Sequence, residues 1–195
     1  MRSDTERNRR HLIKAAALLF ENSPTPVSIA EIAKHAEVST ATAYRHFSSV
    51  EEILHAFRAQ VGSELKDFSA QQTTSGLVKL EAVSRKWVSL VVEHGGAMAQ
   101  MRSHRGYLER LREATGYLVP QAEALAEPLR QTTEELGLGD LGDEALYLWN
   151  ALFDPRDILD LIKSGRTEDE AATRLVAALR GALIGWAAAD RSKSD

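Results

Sequence analysis

Apolar residues recur at intervals of three and four along nearly the whole chain, and no segment alternates with a period of two. The strand-like run 88–92 lies inside such a stripe, formed by Leu80, Val83, Trp87 and Leu90. This spacing places one apolar face on each successive helix. The pattern therefore predicts an all-α fold, with helices at about 5–21, 28–35, 39–47, 49–70, 77–94, 97–115, 119–136, 142–153, 155–163 and 167–189.

Boundary signals are densest near the N-terminus. The segment Pro24-Thr25-Pro26 ends the first predicted helix. Ser28 followed by Glu31 forms a capping box, in which the serine hydroxyl and the glutamate carboxylate satisfy unpaired amides. Further helix starts follow at Ser39 and at 48–52, and 167–170 forms a second capping box before the last helix.

The segment 28–47 reads SIAEIAKHAEVSTATAYRHF and predicts two short helices joined by a three-residue turn. Ile32, Ala33 and Ala36 form an apolar face on the first helix, and Ala43 and Phe47 form one on the second. The opposite face of the second helix is polar. This arrangement is typical of a helix-turn-helix, whose second helix lies in the major groove of DNA.

The side chains on and around the second helix suit DNA. Hydroxyls and an imidazole donate to phosphates, an arginine pairs with guanine, and small side chains contact a thymine methyl group. A capped helix N-terminus also attracts phosphate. The predicted DNA-binding residues are Arg9, Ser28, Ser39, Thr40, Ala41, Thr42, Tyr44, Arg45 and His46. The alternative is an ordinary helical hairpin whose polar face is only solvated.

Charge is distributed unevenly along the chain. The whole sequence has a net charge of -4. Residues 1–60 contain eight Lys or Arg and seven Asp or Glu, and residues 61–195 contain 16 and 21. A basic head on an acidic body is a weak indication that the head contacts an anion.

The segment 9–57 resembles the TetR family of bacterial transcriptional regulators. It matches the family pattern I-A-x-x-A-G-V-S-x-x-T-x-Y-x-H-F-x-x-K-x-x-L, and the matching residues are Ile32, Ala33, Ala36, Val38, Ser39, Thr42, Tyr44, His46, Phe47 and Leu54. Two positions differ, because Glu37 replaces the turn glycine and Val50 replaces a lysine that typically contacts phosphate. The resemblance implies a DNA-binding domain at 1–50 and a helical ligand-binding and dimerisation domain at 51–195.

The resemblance also implies that the last two long helices pair across a two-fold axis. The last helix carries an apolar stripe that suits this role, although the stripe could instead pack inside its own subunit. The residues predicted at the dimer interface are Leu175, Val176, Leu179, Leu183 and Trp186.

The resemblance also implies a cavity for a small apolar effector among the middle helices. Aromatic and methionine side chains with a few polar tips are typical of such a pocket, although each is individually more common as plain core. The predicted lining residues are Trp87, Val91, His94, Met98, Met101, Tyr107, Leu111, Tyr117, Tyr147 and Phe153.

Other classes of function find little support. The sequence has no cysteine, no apolar run of 18 residues and a polar N-terminus, so we expect a soluble cytoplasmic protein. The segment 137–142 matches G-x-G-x-x-G without a preceding strand, and the single Glu52-x-x-His55 lacks the partners of a di-iron site. We expect no catalytic residues, metal or cofactor.

Taken together, the residues and the resemblance predict a ligand-responsive homodimeric regulator that binds a palindromic operator in double-stranded DNA, and the resemblance favours a repressor released by the effector. An enzyme, or a helical adaptor that has lost DNA binding, is the alternative.

Overall fold

A computed structural model describes residues 2–22, 27–100, 105–113 and 116–191 of the chain. Every regular element among these residues is a helix, which confirms the predicted all-α fold. The helices are α1 (Arg2–Asn22), α2 (Ile29–His35), α3 (Thr40–His46), α4 (Val50–Gln71), α5 (Gly76–Glu93), α6 (Gly95–Ala99), α7 (Tyr107–Arg112), α8 (Val119–Glu135), α9 (Asp143–Leu152), α10 (Pro155–Lys163) and α11 (Glu168–Arg191). No helix within the described ranges has the length and apolarity to cross a membrane.

The single helix predicted over 97–115 is wrong. Two short helices, α6 and α7, occupy this region, and Gly106 precedes α7 with an extended backbone of φ -64° and ψ 158°. Glycine loses more conformational entropy in a helix than other residues, so interrupting the helix at this position costs little free energy. The predicted turn at Pro24-Thr25-Pro26 lies outside the described residues, as does Met101.

The predicted capping boxes are present. The Ser28 hydroxyl accepts a hydrogen bond from the Glu31 amide at 3.2 Å, and the Ser28 amide donates to the Glu31 carboxylate at 2.8 Å. Before α11, the Thr167 hydroxyl accepts a hydrogen bond from the Glu170 amide at 3.2 Å, and the Thr167 amide donates to the Glu170 carboxylate at 3.0 Å. These bonds fix where α2 and α11 begin, because the first amides of a helix lack partners inside it.

Helices α1, α2 and α3 form the head of the molecule. Alanine occupies the positions where α2 and α3 face each other, and both Ala33 and Ala43 are fully buried. Phe47 follows α3 and is also buried, as is Leu12 of α1. Two seven-residue helices are too short to be stable in isolation, so this shared core holds them in place.

Helix α4 belongs to both the head and the body. Its N-terminal half buries Ile53 and Phe57 in the core shared with α1, and its C-terminal half crosses α8. The crossing is close at Gly62, where a Cβ atom would lie 3.1 Å from the backbone nitrogen of Gln121. The Ser69 hydroxyl donates to the carbonyl of Ala124 at 2.7 Å. These contacts make α4 a rigid connection between the two parts.

An aromatic cluster fills the centre of the body. The rings of Trp149 and Phe153 stack at 4.9 Å, and Trp87 meets Trp149 edge-on at 5.5 Å. Both indole nitrogens have partners, since Trp87 donates to the Phe153 carbonyl and Trp149 to the Ser84 hydroxyl, each at 3.0 Å. Aromatic pairs in such geometries add stability beyond the area they bury.

The turn between α2 and α3 depends on one unusual backbone conformation. The Val38 amide donates to the carbonyl of Ala33 at 3.0 Å and the Glu37 amide to that of Lys34 at 3.2 Å, which is the hydrogen-bond pattern of a Schellman motif. This motif places Glu37 in the left-handed region, with φ 56°. Glycine adopts that conformation without penalty, whereas other residues lose about 1 kcal/mol.

We therefore expect Glu37→Gly to raise the free energy of unfolding by up to about 1 kcal/mol, because the left-handed conformation suits glycine. Urea denaturation of the whole chain measures the change. Lys34→Gly is the matched control, since Lys34 is helical and the same substitution there costs about 1 kcal/mol. A loss of stability in Glu37→Gly as large as in the control would contradict the strained turn.

Candidate nucleic-acid interface

The outward face of α3 is exposed and polar. Tyr44 is 59% exposed, and Thr40, Ala41 and Arg45 are exposed beside it. Thr42 is half-buried on the flank of the helix. An exposed tyrosine this large on a short helix contributes little to the core of the chain, so its side chain is free for a partner.

A chain of hydrogen bonds holds the start of α3 and its arginine together. The Ser39 hydroxyl caps α3 by accepting from the Thr42 amide at 3.1 Å, and it lies 2.8 Å from the Thr42 hydroxyl. Arg45 Nη2 donates to that hydroxyl at 2.8 Å. The guanidinium is thereby directed toward the N-terminal turn of α3, where its remaining donors can reach a base or a phosphate.

Ser28 lies at the start of α2, where its hydroxyl is engaged in capping. It donates to the Glu31 carboxylate at 2.7 Å. Hydrogen bonds from the Ser28 side chain and then from its amide lower the pKa of Glu31. A similar cap stands before α4, where hydrogen bonds from the Ser48 amide and then from its hydroxyl lower the pKa of Glu52.

Two further predicted residues lie close to α3. The Arg9 guanidinium is exposed and stands 5.0 Å from the centre of the Phe47 ring, just after the C-terminus of α3. His46 is half-buried in the last turn of the helix. Together with the exposed face of α3, these side chains extend the polar surface toward α1.

Val50 is half-buried at the first position of α4 and packs against the core. A lysine there would extend into solvent, so the apolar side chain removes one potential phosphate contact. Glu37, the other departure from the family pattern, keeps the turn geometry through its left-handed backbone.

Most of the predicted ligand-binding residues lie in the interior of the body. Trp87, Val91, Met98 and Phe153 are at most 1% exposed, and Tyr107 and Tyr117 are also buried. His94 and Leu111 are half-buried. Tyr147 is 37% exposed and faces Trp186 at 6.0 Å between ring centres, so it lies on the outside of α9.

Sequence reasoning missed the most unusual polar residue of this interior, Arg58 of α4. It is buried against Gln121 of α8 and the ring of Trp87. One signal pointed to it: Arg58 falls on the apolar stripe formed by Leu54, Val61 and Leu65, at spacings of four, three and four. An arginine in such a stripe faces the core rather than solvent.

The residues predicted at the dimer interface divide into two groups. Leu179 and Leu183 are fully buried within the chain, and Val176 is 8% exposed. Leu175 is half-buried, and Trp186 is 39% exposed with its indole nitrogen donating to Glu144 at 2.7 Å. The most buried leucines of the stripe thus pack inside their own subunit.

The segment 137–142 is a loop between α8 and α9, as predicted, with positive φ at Gly137, Gly139 and Gly142. Glu52 serves as a cap. No group of three or more His, Asp or Glu side chains within the described ranges could hold a metal ion.

The N-terminal segment matches a known family. The family described as bacterial regulatory proteins, tetR family, matches residues 12–57, which run from α1 into α4. The chain carries a TetR-family DNA-binding domain. The exposed face of α3 belongs to the matched segment.

Solved structures, among them one of a tetR-family transcriptional regulator, resemble the fold over more than nine tenths of the chain. A tetR-family transcriptional regulator from Streptomyces coelicolor is 23% identical, with a TM-score of 0.62 over 94% of this chain and 83% of the other. The fatty acid degradation regulator FadR from Bacillus halodurans is 18% identical, with a TM-score of 0.65 over 91% and 95%. RolR in complex with the ligand resorcinol is 21% identical, with a TM-score of 0.62 over 92% and 89%. Comparison with curated protein sequences gives no significant match.

Because Glu31 caps α2 as a carboxylate, we expect the free energy of unfolding to depend on pH. The pKa of Glu31 is lower in the folded chain than in the unfolded chain, so its contribution is present above the unfolded value of about 4.3 and is lost as pH falls through the folded pKa. We expect Ser28→Ala to reduce the loss of stability between pH 6 and pH 3, measured by urea denaturation.

Ser63→Ala is the matched control, because the Ser63 hydroxyl donates only to a backbone carbonyl, that of Ala59. It should keep the acid sensitivity of the wild type. Identical pH profiles for Ser28→Ala and the wild type would refute the role of this cap.

Proposed function

We propose that this chain is a TetR-family transcriptional regulator and that it acts as a homodimeric repressor. Each subunit places α3 in the major groove of one half of a palindromic operator in double-stranded DNA. A small apolar effector, bound among the helices of the body, releases the dimer from DNA.

The exposed polar face of α3 carries this proposal. Arg45 is held by Thr42 in an orientation that leaves further donors available, and the Tyr44 hydroxyl is exposed. An arginine pairs well with guanine, and a hydroxyl pairs with a phosphate oxygen. Ser39 and Ser28 keep their hydroxyls in caps, so we assign them the role of orienting α2 and α3 rather than of direct base contact.

A second subunit is needed because one α3 reads only half of a palindrome. The exposed face of α11 offers a surface for it, formed by Ala177, Gly181, Ile184 and Ala188 at spacings of four, three and four. A Cβ atom added at Gly181 would meet nothing within 4 Å, so this glycine serves no packing inside the chain. Small residues allow close approach of two helices, and Ile184 and Trp186 supply the exposed apolar area.

Regulation requires that the body control the position of the head. Helix α6 touches the end of α1, where a Cβ atom at Gly96 would lie 2.5 Å from the Phe20 carbonyl oxygen. Such close backbone contact transmits small displacements of α6 to α1. An effector that binds better to the spread arrangement lowers DNA affinity by its own differential binding energy. RolR, a protein of similar fold, binds the small aromatic ligand resorcinol, which supports a small-molecule effector for this chain.

Two substitutions on α3 separate the reading of bases from the contact with phosphates. Arg45→Ala should relax base preference at one operator position and cost about 1–3 kcal/mol on the preferred sequence. Tyr44→Phe should weaken binding uniformly across sequences, by about 1 kcal/mol, because only a hydroxyl is lost. Titration against duplexes selected from a random library measures both effects.

Tyr147→Phe is the control, because Tyr147 lies on α9 of the body. It should bind all duplexes as the wild type does. If Arg45→Ala and Tyr44→Phe also bind as the wild type does, the head is not the DNA-binding surface and the adaptor alternative gains support.

The dimer is tested on α11. Ile184→Glu should convert the protein from two chains to one, because a charge on the exposed apolar face cannot be paired across a two-fold axis. Sedimentation velocity measures the mass. Val78→Glu is the matched control, since Val78 is 63% exposed on α5 and should leave the dimer intact. A dimeric Ile184→Glu protein would place the interface elsewhere.

A further inference from the structure

Arg58 is a cation in the interior of the body. It is only 9% exposed, its Nη2 donates one long hydrogen bond of 3.5 Å to the Gln121 side chain, and its guanidinium carbon lies 5.5 Å from the centre of a Trp87 ring. Within the described parts of the chain, its buried Nε donates to no acceptor. A neutral amide and an aromatic face are weak partners for a buried charge.

This guanidinium keeps its charge at neutral pH. Burial lowers the pKa of Arg58 to about 10, which is still well above 7. The nearby carboxylate that attracts it, Asp154, is already held by Arg156 through contacts of 2.9 and 2.7 Å. Partial burial alone would raise the pKa of Asp154, but the hydrogen bonds from Arg156 lower it. Asp154 therefore remains charged and is paired with Arg156.

The surroundings of Arg58 add positive charge and hydrogen-bond donors. Arg110 of α7 is close enough to influence the pKa of Arg58, and its Nη1 donates to the Tyr117 hydroxyl at 2.7 Å. Burial raises the pKa of Tyr107 to about 12, so this phenol stays protonated. His55 stacks on Tyr117 at 4.4 Å, and burial, the largest influence, lowers its pKa, so it is neutral at pH 7.

A buried charge without an ionic partner reduces the stability of the folded chain, and replacing such a charge with an apolar side chain of similar size is often neutral or stabilising. Residues that cost stability are typical of functional sites. A planar guanidinium with free donors matches a carboxylate, and a monoanion balances its single charge. The aromatic rings of Trp87, Tyr107 and Tyr117 are buried near Arg58 and would contact the apolar remainder of such a molecule.

We propose that Arg58 recognises the effector, and that the effector is a small organic acid whose carboxylate pairs with the guanidinium while its apolar part lies against the neighbouring rings. This inference rests on the proposed function, because it specifies the chemistry of the effector site. It places that site between α4, α5, α7 and α8.

Pairs of acids and their neutral amides test the recognition. Benzoate, benzamide, octanoate and octanamide are added separately to the protein, and thermal denaturation and calorimetry measure binding. We expect at least one of the two carboxylates to bind about 30-fold more tightly than its amide, since an unpaired buried charge weakens the neutral complex. Arg58→Met should abolish this preference, and Arg58→Lys, which keeps the charge but loses the planar fork, should retain only part of it.

Arg130→Met is the matched control, because Arg130 is exposed on α8 and pairs with Glu127 and Glu134. It should keep the preference for the acid. Without added ligand, Arg58→Met should melt at the temperature of the wild type or higher. The proposal would be overturned if neither carboxylate binds, or if each amide binds as tightly as its acid. It would also be overturned if Arg58→Met keeps the preference for the acid, or if that variant melts at a lower temperature than the wild type.

Titration of a selected duplex separates this proposal from the proposed function. Arg58→Met should bind the duplex as the wild type does but should no longer release it when the carboxylate is added. If a carboxylate binds through Arg58 and leaves DNA affinity unchanged, the regulatory function is wrong while the recognition stands. If only the neutral amides release DNA, the recognition is wrong while the regulation stands.

Discussion

The turn between α2 and α3 is the constraint on which the proposed contact of α3 with DNA depends. Each of the two helices has seven residues, too few to be stable in isolation. The Schellman hydrogen bonds around Glu37 and the close packing of α2 on α3, where Ala33 and Ala43 are both fully buried, fix the angle between them. That angle determines which side of α3 is exposed. A left-handed backbone at a residue other than glycine is strained, and the surrounding core maintains it.

Helix α4 connects the head to the part of the body that contains Arg58. The same helix packs Ile53 beneath α1 and carries Arg58 into the interior near α8. A ligand that contacts Arg58 therefore contacts a helix that also packs against the head. The second route runs from Gly96 of α6 to Phe20 and Glu21 in the last turn of α1. Differential binding to two arrangements of these helices is sufficient for regulation, without any new contact to DNA.

The sequence was most informative where local chemistry decides the structure. Caps at Ser28, Ser39 and Ser49 depend on neighbouring residues only, so the starts of α2, α3 and α4 were predictable to within about a residue. The break at Gly106 was missed because a single glycine is tolerated in a helix. The stripe through Leu179 and Leu183 identified an apolar face but not its partner, since burial within a subunit and burial in a dimer require the same pattern. Arg58 was missed because arginine is ordinarily exposed, and only tertiary packing buries it.

The central claim is that the outward face of α3 lies in the major groove. Protection of guanine N7 atoms from methylation measures this directly, because N7 is exposed only in that groove. On a duplex selected for tight binding, the account predicts two clusters of protected guanines on one face of the DNA, separated by about 10 base pairs or a multiple of that distance. Protection of minor-groove adenine N3 atoms without any protection of guanine N7 would contradict it.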